Sequence, residues 1–365
     1  MNNSTPALLR TLLLMDTREG SPEIQKAIEF VADILSECGV RYEIVCPVKC
    51  APSIVAHIPG KSGKSIVLCA HMDTADFDKT LWHVDPLGAV CLKGKMFGRG
   101  ALDCKSLCAV WLSLLTQIAN SKIVPKHGIT LLITSDEESG GEWGAKWALN
   151  NTQLLNDVML VLSEGGGYPV YQNSSLLYTV QCGERGRIKI QGEYDPPKIS
   201  RQELMQQGVS AGFYSEKTVE YSKHAPGKAR HIPLKEFDAV QCERDNKYTI
   251  IYKLPFLDNY KLEIDPSRII ESVECGKTNG AIKFLPTLQR ALTKHMDAQL
   301  LPIITPGYSD NRHFRNAGIP VLGFFPLSID NGIAGIHGND EYITQQSLDL
   351  AEAVLSEIVN TLAFQ

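Results

Sequence analysis

Gly128-Ile129-Thr130-Leu131-Leu132-Ile133 is an uncharged apolar run rich in β-branched residues. It runs straight into Thr134-Ser135-Asp136-Glu137-Glu138-Ser139-Gly140-Gly141. The apolar part reads as a buried strand. Three carboxylates then follow at its end, with two glycines behind them. A strand without a polar face needs cover on both sides, and the chain supplies it. Further apolar runs occur at Ser65–Ala70, Asp157–Leu162, Leu301–Thr305 and Val321–Phe325. Between and around them lie helical patterns at 105–119, 142–149, 281–294 and 345–362. Strands alternating with helices predict an α/β fold, a mostly parallel sheet with helices on both faces.

The N-terminal part fits the same plan. Residues 5–18 and 22–38 read as helices. The second has Ser21 as N-cap and Pro22 at the first helical position, with Ile24, Ala27, Ile28, Val31, Ile34 and Leu35 on one face. Residues 41–45 and 53–58 are short strands, and 77–97 reads as an irregular stretch. From Glu184 the texture turns more polar and alternates in places, at 187–191, 248–252 and 260–264. That pattern predicts a smaller α+β domain with antiparallel strands, inserted into the first. The expected division is 1–183 and 277–365 for the main domain and 184–276 for the insert.

Composition narrows the classes of function. The 365 residues carry a formal net charge of -5, and the pI is near 6.0. Neither nucleic acid nor an anionic membrane surface is an expected partner. The apolar patch around Leu12-Leu13-Leu14 is broken by Arg10 and Asp16, too short for a signal core or a membrane span. The ten cysteines form no Cys-x-x-Cys pair. They read as reduced, mostly buried thiols of a cytoplasmic protein.

The strand ends carry the chemistry. His71 ends the Ser65–Ala70 run, Glu138 follows the 128–134 strand, and Glu164 follows 157–162. Asp103 opens the helix at 105–119, and His337 lies in a late loop. Two imidazoles and three carboxylates suit a pair of zinc-like ions if one carboxylate bridges them. Asp73, two residues after His71, is placed to fix that ring's tautomer. Glu137, beside Glu138, is the spare carboxylate for a base acting on water activated by metal. Each residue also has a plain reading alone. His71 can be a satisfied histidine at a strand end, and Asp103 a helix N-cap. Glu164 can be a turn residue, and the 135–138 run an acidic loop capping the next helix. Their joint occurrence in this order is what those readings explain poorly.

The motifs resemble the M20 family of zinc metallopeptidases and amidohydrolases. They are Ala70-His71-Met72-Asp73-Thr74, Trp82 with Asp85-Pro86, Gly98-Arg99-Gly100-Ala101-Leu102-Asp103-Cys104-Lys105, Asp136-Glu137-Glu138-Ser139-Gly140, Glu164-Gly165-Gly166, Gly307-Tyr308-Ser309-Asp310-Asn311-Arg312-His313-Phe314 and His337-Gly338-Asn339-Asp340-Glu341. The resemblance implies that His71, Glu164 and bridging Asp103 hold one zinc, and that Glu138, His337 and Asp103 hold the other. Cobalt and manganese bind similar ligand sets. It further implies Glu137 as general acid/base, Asp73 as the orienting partner of His71, and Arg312 as the group that meets a substrate carboxylate. For Arg312 the plain reading is a structural arginine in an acidic turn. The implied reaction is hydrolysis of an amide in a small molecule or short peptide bearing a free carboxylate.

The insert corresponds in position to the family's lid, through which members often dimerise. Many members follow the Glu-Arg-Gly segment with a histidine that helps bind the substrate carbonyl. Here Glu184-Arg185-Gly186 leads to Gly192-Glu193-Tyr194-Asp195-Pro196-Pro197, and no histidine occurs before His224 and His231. Two other readings stand beside the carboxylate-reading deacylase or exopeptidase. One is a dipeptidase or aminopeptidase that reads a free amine. The other is a metal-binding scaffold without catalysis, against which the intact Glu137 argues.

Overall fold

A computed structural model describes residues 3–48, 51–172, 174–184, 280–305, 309–333 and 335–365, with four two-residue strands between 190 and 274. The first helices are α1 (Thr5–Leu13) and α2 (Glu23–Glu37), followed by strands β1 (Arg41–Val45), β2 (Ser53–Ile58) and β3 (Ser65–His71). A hairpin of β4 (Val90–Leu92) and β5 (Lys95–Phe97) precedes helix α3 (Lys105–Ser121) and strand β6 (Gly128–Thr134). Helix α4 (Ala145–Asn151), then β7 (Val158–Ser163), β8 (Pro169–Gln172) and β9 (Ser175–Glu184) complete the first part. The two-residue strands are β10 (Ile190–Gln191), β11 (Ile232–Pro233), β12 (Glu263–Ile264) and β13 (Val273–Glu274). The last part holds α5 (Leu285–Thr293), β14 (Gln299–Thr305), α6 (Asn311–Asn316), β15 (Val321–Gly323), β16 (Tyr342–Thr344) and α7 (Gln345–Phe364).

The main sheet runs β1-β2-β6-β3-β7-β15-β9-β14-β11. Its centre, β6-β3-β7-β15, is parallel, and so is the β9–β14 pair. The flanking strands β1, β2, β8, β11 and β13 pair antiparallel. The central strands are buried apart from the half-buried start of β7, and their alternation divides the core. Ile66, Leu68 and Ala70 face a large cluster with Leu9, Ile28, Trp111 and Leu355. Val67 and Cys69 face a smaller cluster with Ala145, Ala148 and Phe314. Helices thus cover both faces, as the apolar runs require. Among the described residues, no helix is long and apolar enough to cross a membrane.

Several expectations shift at their edges. Helix α1 stops at Leu13 rather than 18, because residues 16–18 turn to meet the loop after β3. There Thr17 Oγ1 donates to Met72 O at 2.7 Å. Buried Lys105 caps the freed carbonyls, with Nζ 3.0 Å from Leu12 O and 2.8 Å from Met15 O. Helix α2 starts one residue late at Glu23, yet Ser21 Oγ still accepts its first N–H at 3.3 Å. The helix expected at 142–149 begins at Ala145, because the Asp136 carboxylate clasps the preceding loop through Trp143 N at 2.7 Å. Residues 77–97 are not wholly irregular. Lys93 and Gly94, at φ +50° and +75°, make the tight turn of the β4–β5 hairpin. β16 adds to that hairpin as a third strand.

The expected insert at 184–276, with His224 and His231, lies outside the described residues apart from Glu184 and the short strands. Of these, β10 and β12 pair antiparallel.

Candidate metal centre

Parallel β6, β3 and β7 lie side by side and end at one edge of the sheet. That edge is where open α/β sheets build sites. β3 ends in His71, whose ring is 1% exposed. Its Nδ1 lies 3.0 Å from the carbonyl of Asp73. A carbonyl only accepts, so Nδ1 carries the proton and Nε2 is turned inward. The Asp73 carboxylate lies 3.5 Å from Nδ1, and its other oxygen accepts from Glu138 N at 3.0 Å. The expected tautomer is therefore set mainly by the main chain of Asp73, while its side chain anchors the Glu138 loop.

Carboxylates surround His71 Nε2. Asp103 Oδ1 is 3.0 Å away, Glu164 Oε1 3.6 Å and Glu137 Oε2 3.8 Å. Asp103 sits just before α3, and its peptide bond to Cys104 is cis. Its second oxygen faces the other imidazole, with Oδ2 3.0 Å from His337 Nε2. Glu138 completes that side at 3.0 Å from the same nitrogen. One carboxylate thus gives an oxygen to each of two histidine–glutamate sets. Donor atoms of His71 with Glu137 and Glu138, and of Asp103 with Glu138 and His337, lie within 4.8 Å of one another. So do those of His71, Cys104 and Glu164. All five residues expected as ligands meet here, with Glu137 beside them.

The electrostatics fit a cation. Burial pushes the Glu137 carboxyl well above its ordinary value, and Glu164 adds to this. Burial likewise raises Glu164 to about 7. Hydrogen bonds to the Asp103 and Glu138 carboxylates raise His337 to about 10. Several buried carboxyls and two imidazoles crowded together form a site whose charge a divalent cation would balance. The hard oxygen and imidazole donors suit zinc or a similar divalent ion.

Arg312 is not in this cluster. It is buried on α6, where its charge acts on Glu184. Glu184 is held by Ser309 N, by Ser309 Oγ at 2.8 Å and by Arg315 at 2.8 Å. Neighbouring Asn311 Nδ2 donates to the carbonyl of Glu164 at 3.1 Å, tying α6 to the site.

Sequence reasoning gave no role to Arg99, Asp310 or Glu341. Asp310 is buried, accepts from Thr134 Oγ1 at 2.6 Å, and is pushed by burial to about 8. Glu341 collects the N–H groups of the loop that presents Asp103. All three lie within the recognised motifs, but no local pattern says what a buried charge touches. A cavity of about 70 Å³ opens beside Asp103 and Glu164, walled by Leu102, Tyr168, Phe325, Leu327 and Ile336.

A family model described as peptidase family M20/M25/M40 matches residues 67–361. The chain belongs to this family. It is an M20-type hydrolase, in line with the resemblance of its motifs. Aminoacylase-1 of Dictyostelium discoideum is 24% identical over 409 aligned positions, covering 98% of each chain. Human carnosine dipeptidase 1 shares the fold, with a TM-score of 0.64 and 13% identity over 97% of this chain and 95% of that one. So does a dinuclear metal-binding M20 peptidase of Bacillus subtilis, with a TM-score of 0.55 and 14% identity over 98% of this chain and 97% of that one.

Proposed function

We propose that this M20 hydrolase uses two divalent ions, zinc in the first instance, to remove a short acyl group from an amino acid or to split a short peptide. The observation that carries the reading is the Asp103 carboxylate, shared at 3.0 Å between His71 and His337. His71, Glu164 and Asp103 would hold one ion; Glu138, His337 and Asp103 the other. Such a pair, when bound, polarises a carbonyl and makes water easier to deprotonate.

Glu137 takes the proton from the attacking water and hands it to the departing amine nitrogen. The water oxygen joins the carbonyl carbon, the carbon–nitrogen bond breaks, and an acid and an amine result. Glu137's burial raises its carboxyl, the direction needed by a group that both takes and gives a proton near neutrality. Asp73 holds His71 and the Glu138 loop in place. Arg312 offers its planar fork to the substrate carboxylate.

Two observations favour a short, uncharged acyl group. The likeness to an aminoacylase runs the full length of the chain. The cavity beside Asp103 and Glu164 is walled by Leu102, Tyr168, Phe325, Leu327 and Ile336, apolar faces that suit a short apolar acyl group. The free thiols among the described cysteines support a reducing, cytoplasmic setting.

The test is metal content together with a substrate panel. Protein purified without chelator is assayed on N-acetyl amino acids, N-succinyl-diaminopimelate and dipeptides, with zinc or cobalt added. About two ions per chain and a preference for N-acetyl substrates is the expected result. Failure to bind metal with the fold intact would remove the reading, and a preference for the succinyl compound would remove the short acyl group.

A further inference from the structure

Glu341 is fully buried in the loop that follows His337. Its carboxylate accepts four hydrogen bonds. Oε1 takes the N–H groups of Leu102 at 2.7 Å and Asp103 at 3.0 Å. Oε2 takes Gly100 N at 3.0 Å and Arg99 Nη1 at 2.9 Å. The main chain adds a fifth link, with Gly98 N donating to Glu341 O at 3.0 Å. Arg99 works in the opposite direction. Its Nη2 donates to the carbonyl of Gly338, the residue after His337, at 2.9 Å. One buried pair therefore ties two loops whose bonded residues stand 238 to 242 positions apart in the chain.

Each loop carries one donor to the same cluster. The 98–103 loop ends in Asp103, and the 337–341 loop starts with His337. The second loop needs restraint. His337 and Asp340 both have left-handed backbones, at φ +55° and +53°, and the His337 ring is 53% exposed. His71 and Glu164 need no such tie, because His71 ends β3 and Glu164 directly follows β7, two paired strands.

We propose that Glu341, with Arg99 as its counter-ion, is a positioning residue that holds Asp103 and His337 together and so sets the affinity of the ion on the His337 side. The inference rests on the dinuclear reading. Its effect is asymmetric. Two of the three donors on the His337 side depend on the latch, but only Asp103 does on the His71 side. Partners that hold metal ligands commonly account for 10–100-fold in metal affinity.

Glu341→Gln tests this. An amide places NH₂ where one oxygen stood, so two of the four donors face another donor whichever way it turns. Zinc and cobalt binding are measured by titration calorimetry and by the visible spectrum of the cobalt form, for wild type and variant. The expected wild type binds two ions. The expected variant holds the first normally and the second about 10–100-fold more weakly, with activity recovering as metal is raised. Arg99→Lys, which keeps the charge but loses the fork, is expected to act in the same direction and more weakly.

A wild type that binds fewer than two ions would overturn the dinuclear reading itself. A two-ion wild type, with E341Q binding both as tightly, would overturn the latch alone. Loss of the fold in both variants even with excess metal would assign Glu341 to stability and overturn the latch as well.

Discussion

The two imidazoles of the centre stand in opposite circumstances. His71 ends a central strand, is 1% exposed, and has its tautomer fixed by its own loop. His337 lies in a loop, is 53% exposed, and keeps a left-handed backbone. Yet each lies 3.0 Å from one oxygen of Asp103. One half of the centre is built by the sheet, the other by loops pinned from behind. The sheet half follows from β3 pairing in parallel with β6 and β7, which brings His71, the Glu137–Glu138 pair and Glu164 to one edge. The loop half depends on side chains that must be buried together, Glu341 and Arg99 among them.

The largest expected effect breaks neither half. Glu137→Gln should lower kcat by about 10²–10⁴-fold, the range for a lost general acid/base. Bound metal, counted by elemental analysis, should stay at the wild-type level. A variant that keeps turning over would remove Glu137 from its role.

The comparison itself is tested next. His71→Ala removes the partner of buried carboxylates and should cost about 3–5 kcal/mol of stability in denaturant unfolding. It should also lose metal from both sides. His337→Ala should lose one ion and destabilise the chelator-treated protein less than His71→Ala does, because its ring is half exposed. Equal destabilisation by the two variants would erase the distinction between sheet half and loop half.

A smaller effect concerns protons. With metal stripped by chelator, His337 is raised to about 10 by Asp103 and Glu138, so it carries a proton at pH 7. Its folded value is above its unfolded one. Its contribution to stability is therefore full below about pH 6.5 and is lost as pH rises toward about 10. The melting temperature of the stripped protein should fall across that window, and His337→Ala should flatten the fall. Metal loading in weak buffer should release protons, because a coordinating imidazole must give one up.

The smallest effect comes from two adjacent residues. Asp340 pairs with His83 at 2.6 Å, but the His83 ring is 90% exposed. Glu341, next to it, is buried on all sides. His83→Ala should leave the affinity for both ions unchanged in the same titration that detects E341Q. An exposed pair is screened by water, whereas buried donors have no other acceptor. A clear loss of metal in His83→Ala would mean that the surface pair, not the buried one, steadies the His337 loop.

Much of this was legible because it is local. Buried strands show as apolar runs, and five ligand-type residues stood at or near their ends or in a matching loop. The hairpin at 90–97 was missed, although Lys93-Gly94 is a turn signal, because its strands are only three residues each. The helix after the acidic run was placed too early. Its start is decided by the Asp136 side chain reaching Trp143 N, which spacing does not report. That the charge of buried Arg312 acts on Glu184 could not be read from an acidic turn.

The sequence by itself determined the sheet, its cover on both faces, and the kinds of atoms gathered at its edge. Those depend on periodicity and residue type, which a short window of chain contains. Only the tertiary structure decided that Asp103 divides its oxygens between His71 and His337, that Lys105 closes the end of α1, and that Glu341 holds the 98–103 loop. Each is a contact between segments far apart in the chain. A buried charge finds its partner through packing of the whole domain, and the penalty for leaving it unpaired is what makes that choice unique.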